Sequence, residues 1–196
     1  MQIDSKIIQK LRATTGAGIM DVKKALEEAG GDEQKALEIL RIRGQKIATK
    51  KQEERVAKEG AIAAYVHANG KVAALVMLAC ETDFVARNEE FKSLAHDIAM
   101  QVAAMNPQFL TADKVPQDVV EKEKEIMRAS LQDEKKPAAV LEKIMAGKLQ
   151  KFFEEVCLLE QKFIKDDTKT IADLINEQTA KLGEKIEVKK IARLSL

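Results

Sequence analysis

Residues 62–78 alternate apolar side chains about an Asn69-Gly70 pair, whereas the segments on either side of them repeat at helical spacing. Ile62, Ala64 and Val66 lead into the pair, and Val72, Ala74, Val76 and Leu78 lead out of it. This pattern predicts a hairpin. A two-residue Asn-Gly turn, with positive φ at both positions, matches the right-handed twist of the strands it joins. A hairpin is not stable alone in water, so it has to find helices to cover it. The intervening Ala73, Leu75, Met77 and Ala79 are apolar too, and cover is therefore expected on both faces.

The helical segments supply that cover, and the fold class this implies is α+β. The first helix is expected over Ser5 to Thr14, with Asp4 or Ser5 as cap, Ile7, Ile8 and Leu11 on one face and Gly16 as the left-handed stop. A second runs from Ile19 to Ala29 through Val22, Ala25 and Leu26, and ends at Gly30-Gly31. Asp32 caps a third through Ala36, Leu37 and Leu40. Residues 45–59, QKIATKKQEERVAKE, are too charged to bury much and read as a solvated helix or linker. Beyond the hairpin, Phe91, Leu94, Ala95, Ile98, Val102 and Met105 form one stripe that Asn106-Pro107 stops. Helices follow over 117–131, 138–159 and from Thr170 to Gly183, and Ile186 to Leu194 is expected to join the hairpin as a third strand.

Composition excludes several functions. The 33 basic and 32 acidic residues leave a net charge of +1, which provides no field for nucleic acid or an anionic membrane. Neither a signal-peptide run nor a membrane-length apolar run occurs, so a cytoplasmic protein is expected. Cys80 and Cys157 lack metal-type spacing and read as buried thiols rather than a disulfide or zinc site. His67 and His96 have no carboxylate or cysteine partner at a useful spacing, so no proton relay is indicated. Gly16-Ala17-Gly18 lacks the preceding strand, lysine and hydroxyl residue of a phosphate-binding loop. No cofactor, metal or covalent chemistry is expected.

Two places resist a purely structural reading. Glu81-Thr82-Asp83-Phe84-Val85-Ala86 joins a strand to a helix, where a loop should be polar, yet carries Phe84 and Val85. These either fold back over the sheet edge or meet a partner. Ile19 and Met20, after the Gly16 turn, are either core or an exposed knob, and methionine suits adaptable binding surfaces.

At these places the chain resembles the elongation factor Ts family, through LRATTGAGIMDVKKAL near the start, CETDFVARNEEF after the hairpin and LLEQKFIKDD near the end. Lys162 stands where that family commonly has proline. The resemblance implies a ubiquitin-associated-like three-helix domain over 1–50, a charged linker or helix over 51–59, and an α+β core over 60–196 for exchange and dimerisation. It implies a guanine nucleotide exchange factor that binds elongation factor Tu in its GDP- and magnesium-bound and nucleotide-free forms. Thr82, Asp83, Phe84 and Val85 correspond to the family's TDFV motif, which disturbs the magnesium site of that GTPase. Leu11, Ile19 and Met20 are the candidate contacts in the N-terminal domain, although Leu11 also fits that domain's own core. The chain is similar to short, single-core forms, which implies a homodimer, with Ile186 to Leu196 as the candidate interface. The alternatives are an adaptor module without exchange activity and a thiol enzyme using Cys80 with His67 or His96.

Overall fold

The computed structural model describes residues 4–131 and 137–196, with the side chains of 45, 47–49, 51–53 and 138 outside the description. The chain is mixed α+β. It begins with helices α1 (Ser5–Thr15), α2 (Ile19–Glu28) and α3 (Glu33–Glu54). The backbone N–H of Lys6 donates to Asp4 at the start of α1, and those of Gln34 and Lys35 donate to Asp32 at the start of α3. Leu11, Val22, Ala25, Leu26, Ala36 and Leu40 close a small core between the three helices. Helix α3 then continues unbroken to Glu54 through the charged segment and packs along α8 (Ile171–Leu182). Of the two readings of 45–59, the helix holds as far as residue 54.

Strands β1 (Glu59–Val66) and β2 (Val72–Cys80) form the expected hairpin, in the register Val66 opposite Ala73. Its turn is not the expected two-residue one. The N–H of Gly70 donates to the carbonyl of His67, which makes Ala68-Asn69 the central pair, and of the turn residues only Gly70 takes positive φ, at 67°. Asn69 instead accepts from the N–H of Lys71 with its side chain, at 2.9 Å. The physical reason is that an asparagine side chain can close the loop locally while a single glycine makes the left-handed step.

Strand β5 (Glu187–Ser195) joins the other edge of β2, so that the sheet runs β1-β2-β5, antiparallel throughout. One face is sealed by α5 (Glu89–Met105), which begins at its Asn88 cap. Phe91, Leu94, Ala95, Ile98 and Val102 of α5 pack with Ala74, Val76, Leu78 and Cys80 of β2, and Ile171, Ile175 and Ile186 complete this main core. Each large side chain buried here contributes about 1.5–3 kcal/mol by transfer from water. Met105, expected on the same stripe, is exposed because the helix ends there at left-handed Asn106. Expectation also fails for most of the second face, where Ala79 is buried and Ala73 half-buried but the larger side chains are not covered. Ile62, Val66, Leu75, Met77 and Leu194 are exposed on it, since the helices that pack on β1 and β2 arrive from one side.

Helices α6 (Gln117–Ser130) and α7 (Ala138–Val156) pack on one another beside this core. The helix expected to run to residue 159 ends at Val156, a separate 3-10 turn (Leu158–Glu160) follows after Cys157, and then comes a short β3–β4 pair (Lys162–Phe163, Asp166–Thr170) that sequence patterning does not announce. Buried Gln101 of α5 explains the course of this segment. Its amide nitrogen donates to the Gln161 side chain and to the Lys162 carbonyl, and its oxygen accepts from the N–H of Ile164 at 3.0 Å. Both N–H donors and the carbonyl oxygen of this buried amide are thus engaged in pinning one loop.

Gly60 shows how tightly the hairpin is closed. At φ 155° it lies where a Cβ would stand against the Leu78 carbonyl oxygen and 2.8 Å from the Ala79 Cα. Gly60→Ala is expected to lower stability by about 2 kcal/mol or more, because both the backbone conformation and the contact are unfavourable. Urea unfolding followed by circular dichroism measures this; a midpoint equal to that of the parent would mean that the strand pair yields there.

Candidate functional site

Where β2 ends at Cys80, the chain makes one helical turn, α4 (Asp83–Ala86), before α5 begins. Two caps in close succession create it. Thr82 is extended and its hydroxyl accepts from the N–H of Val85 at 3.5 Å, while Asn88 accepts from the N–H of Glu90 at 2.8 Å. So short a helix cannot stabilise itself and has to be held by its surroundings. Val85 and Ala86 lean on the main core, whereas Phe84 is 82% exposed. The two apolar residues of this loop thus divide, one folding back and one facing solvent. Asp83 pairs with Arg87 at 3.0 Å, an exposed ion pair that adds little stability.

The polar side of the turn is anchored by residues a hundred positions away. Glu184, between α8 and β5, accepts at Oε2 from the N–H of Glu81 (3.1 Å) and of Thr82 (3.0 Å), and at Oε1 from the Thr82 hydroxyl (2.6 Å). Glu81 returns the arrangement, accepting from the N–H of Lys185 at 2.6 Å and from the guanidinium of Arg55 at 3.1 Å. Arg55 also donates to the carbonyl of Gly183, at 3.5 Å. The residue after α3, the end of β2 and the end of α8 therefore meet at the base of α4. Sequence reasoning missed Glu184, Glu81 and Arg55, and no signal in a single sequence joins them, since their spacing is created by the fold.

The other candidates lie on separate elements. Ile19 and Met20, at the start of α2, are 53% and 62% exposed, and so form a knob rather than core. Leu11 is 4% exposed and packs within the three-helix core with Val22, Ala25 and Leu26, so its side chain is not available at the surface. Helix α2 packs on α1 and α3, while α4 packs on β1, β2 and α5.

Nothing in this neighbourhood is arranged for nucleophilic or metal chemistry. Cys80 is buried beside α4 and its thiol donates to the Thr82 carbonyl at 3.2 Å. Burial first, and then the charge of Glu184, push its pKa up to about 11. Cys157 is likewise pushed up to about 11, by burial and then by Glu160. His67 and His96 are exposed around Tyr65, whose hydroxyl lies 3.2 Å from His67 Nδ1. Among the described residues no group of three His, Cys, Asp or Glu side chains could hold a metal ion, and no helix is long and apolar enough to cross a membrane.

Comparison with known proteins adds an independent finding. The family model described as Elongation factor TS matches residues 3–196. Elongation factor Ts of Thermotoga petrophila is 56% identical over 196 residues, covering 100% of this chain and 97% of that one. The proteins of the same name from Carboxydothermus hydrogenoformans and Pseudothermotoga lettingae are each 53% identical over 194 residues, covering 99% of this chain and 89% and 98% of theirs.

The thiols give a direct check on the reading of Cys80 as inert. A pKa near 11 instead of 9.0 lowers the thiolate fraction at neutral pH by about a hundredfold, before burial further hinders access. Iodoacetamide at pH 7.5 is expected to modify Cys80 and Cys157 at least about a hundredfold more slowly in the native protein than in urea. Mass spectrometry of the alkylated chain measures it, and fast native labelling of Cys80 would restore a thiol mechanism to consideration.

Proposed function

The chain belongs to the elongation factor Ts family, whose members are translation elongation factors, and from that premise we propose that it is the guanine nucleotide exchange factor for elongation factor Tu. It binds the GDP- and magnesium-bound GTPase, promotes GDP release by disturbing the magnesium site, and stays bound until GTP enters. It does this by protein contact, with no covalent chemistry. The observation that carries the reading is an aromatic ring left 82% exposed on an anchored helical turn within the TDFV motif.

The energetics fit a wedge with help. Magnesium requires near-octahedral oxygen geometry and bridges nucleotide to GTPase, so displacing the element that supports its water shell weakens both ligands together. Burying the Phe84 ring in the partner contributes about 1.5–3 kcal/mol. Accelerating release a thousandfold requires roughly 4 kcal/mol, so Phe84 is not sufficient alone. Asp83 adds a polar contact at the same place, and Thr82 and Val85, whose backbone groups are bonded within the chain, shape the turn that presents it. Ile19 and Met20 provide a second grip on the ubiquitin-associated-like unit of residues 1–50, with Leu11 in that unit's core. The core over 60–196 carries the wedge, and 51–59 connects the two. Nucleotide and factor then expel one another by a single coupling free energy.

The open sheet face supports the homodimer. Ile62 and Ala64 of β1, Leu75 and Met77 of β2, and Ala192 and Leu194 of β5 share one exposed surface by register. Lys190, opposite Met77, is the charged residue at one end of this face, and an exposed apolar patch of this kind is a recognised mark of an association surface. The stretch Ile186 to Leu196 contributes only its edge, and β2 provides the centre.

Two measurements test these proposals. Release of fluorescent GDP from elongation factor Tu at fixed magnesium is expected to be accelerated by the wild-type chain and reduced about tenfold or more by Phe84→Ala, the size of an interface hot spot. No acceleration by folded wild-type protein would leave the adaptor reading as the better account. In sedimentation equilibrium the wild-type chain is expected to be a dimer and Leu75→Glu a folded monomer, because a carboxylate placed in an apolar interface costs several kcal/mol. A dimer that survives this substitution would move the interface elsewhere.

A further inference from the structure

We propose that Glu184 is a positioning residue for exchange, its carboxylate fixing the backbone of 81–85 so that Phe84 is presented in one direction. The proposal rests on the reading of Phe84 as the wedge. Its geometric basis is the direction of three hydrogen bonds. A carboxylate only accepts, so the Thr82 hydroxyl must donate its single hydrogen to Glu184 at 2.6 Å. The lone pairs of Thr82 are then left for the N–H of Val85, the first turn of α4. The other carboxylate oxygen receives two consecutive backbone N–H groups, those of Glu81 and Thr82. Charge-assisted bonds of this kind are roughly twice as strong as neutral ones.

Glu184 is itself held on both sides. Gly183 before it is the left-handed stop of α8, and Ile186 after it is fully buried in the main core. The carboxylate is therefore delivered from a short connection, fixed at one end by α8 and at the other by the main core, to a helical turn that cannot define its own orientation. Removing it need not separate those elements, because Glu81 still accepts from the N–H of Lys185. The effect of Glu184→Ala should stay in the loop.

The test titrates the full-length chain against elongation factor Tu loaded with fluorescent GDP at fixed magnesium. Glu184→Ala is expected to lower the maximal release rate about tenfold while moving the half-saturating concentration less than about threefold, since a loosened wedge loses effect more than contact. In the Phe84→Ala background the same substitution is expected to cost less than about twofold, because the two act as one unit. Amide hydrogen exchange provides a second readout: Thr82 and Val85 should exchange at least about tenfold faster in Glu184→Ala, with β2 unchanged. A wild-type maximal rate, an equal loss in both backgrounds, or a loss confined to half-saturation would each overturn the proposal. If Phe84→Ala itself exchanged nucleotide normally, the wedge reading would fail, and unchanged protection at Thr82 and Val85 would then overturn the anchoring by Glu184 as well.

Discussion

The packing of β2 against α5 is the contact on which the other elements depend. β2 is the central strand, paired on both edges, and its Ala74, Val76, Leu78 and Cys80 are buried against Phe91, Ile98 and Val102. Because the strand and helix are consecutive, the segment between them has no freedom to wander. It must turn within a few residues at the rim of the core, and the two caps Thr82 and Asn88 define the single turn that fits there. The turn that carries Phe84 is thus a by-product of closing a strand onto its covering helix.

An exposed phenylalanine on that turn is energetically informative. Its neighbours Val85 and Ala86 reach the core from the same four-residue element, so burial was geometrically available to this turn and one position was directed outward. Scattered apolar residues on a surface need no explanation. An aromatic ring beside an acidic residue on a turn held by several charge-assisted hydrogen bonds is a different case, because ordering a surface element costs conformational entropy that its own contacts barely offset. Rigid presentation is useful when the ring has to perform work on a partner.

Two polar networks provide the rigidity that the small core cannot. Gln101 is buried and satisfied through Gln161, Lys162 and Ile164, and it ties the loop after α7 to α5. Glu81, Glu184 and Arg55 tie the end of α3, the end of α8 and the rim of the sheet together at the base of α4. Hydrogen bonds in such networks are strong in a low dielectric but costly if one member is lost, so they specify position more than they add net stability. The long α3 also lies along α8, which connects the N-terminal helices to the same frame.

What the sequence determined by itself is local: the helices through their apolar stripes and caps, the hairpin through its period of two, the left-handed stops at Gly16 and Gly183, and the family through motifs spread along the chain. These are legible because the forces involved act over a few residues. The same reading misplaced the hairpin turn, since asparagine can close a loop with its side chain as readily as with positive φ. It expected both sheet faces to be covered, because alternation shows that a face is apolar and not what lies on it. It could not decide between core and surface for Phe84, Ile19 and Met20, and it passed over Glu184 altogether. Only the tertiary structure decided these, because burial and long-range hydrogen bonding depend on which distant segments the sheet brings together.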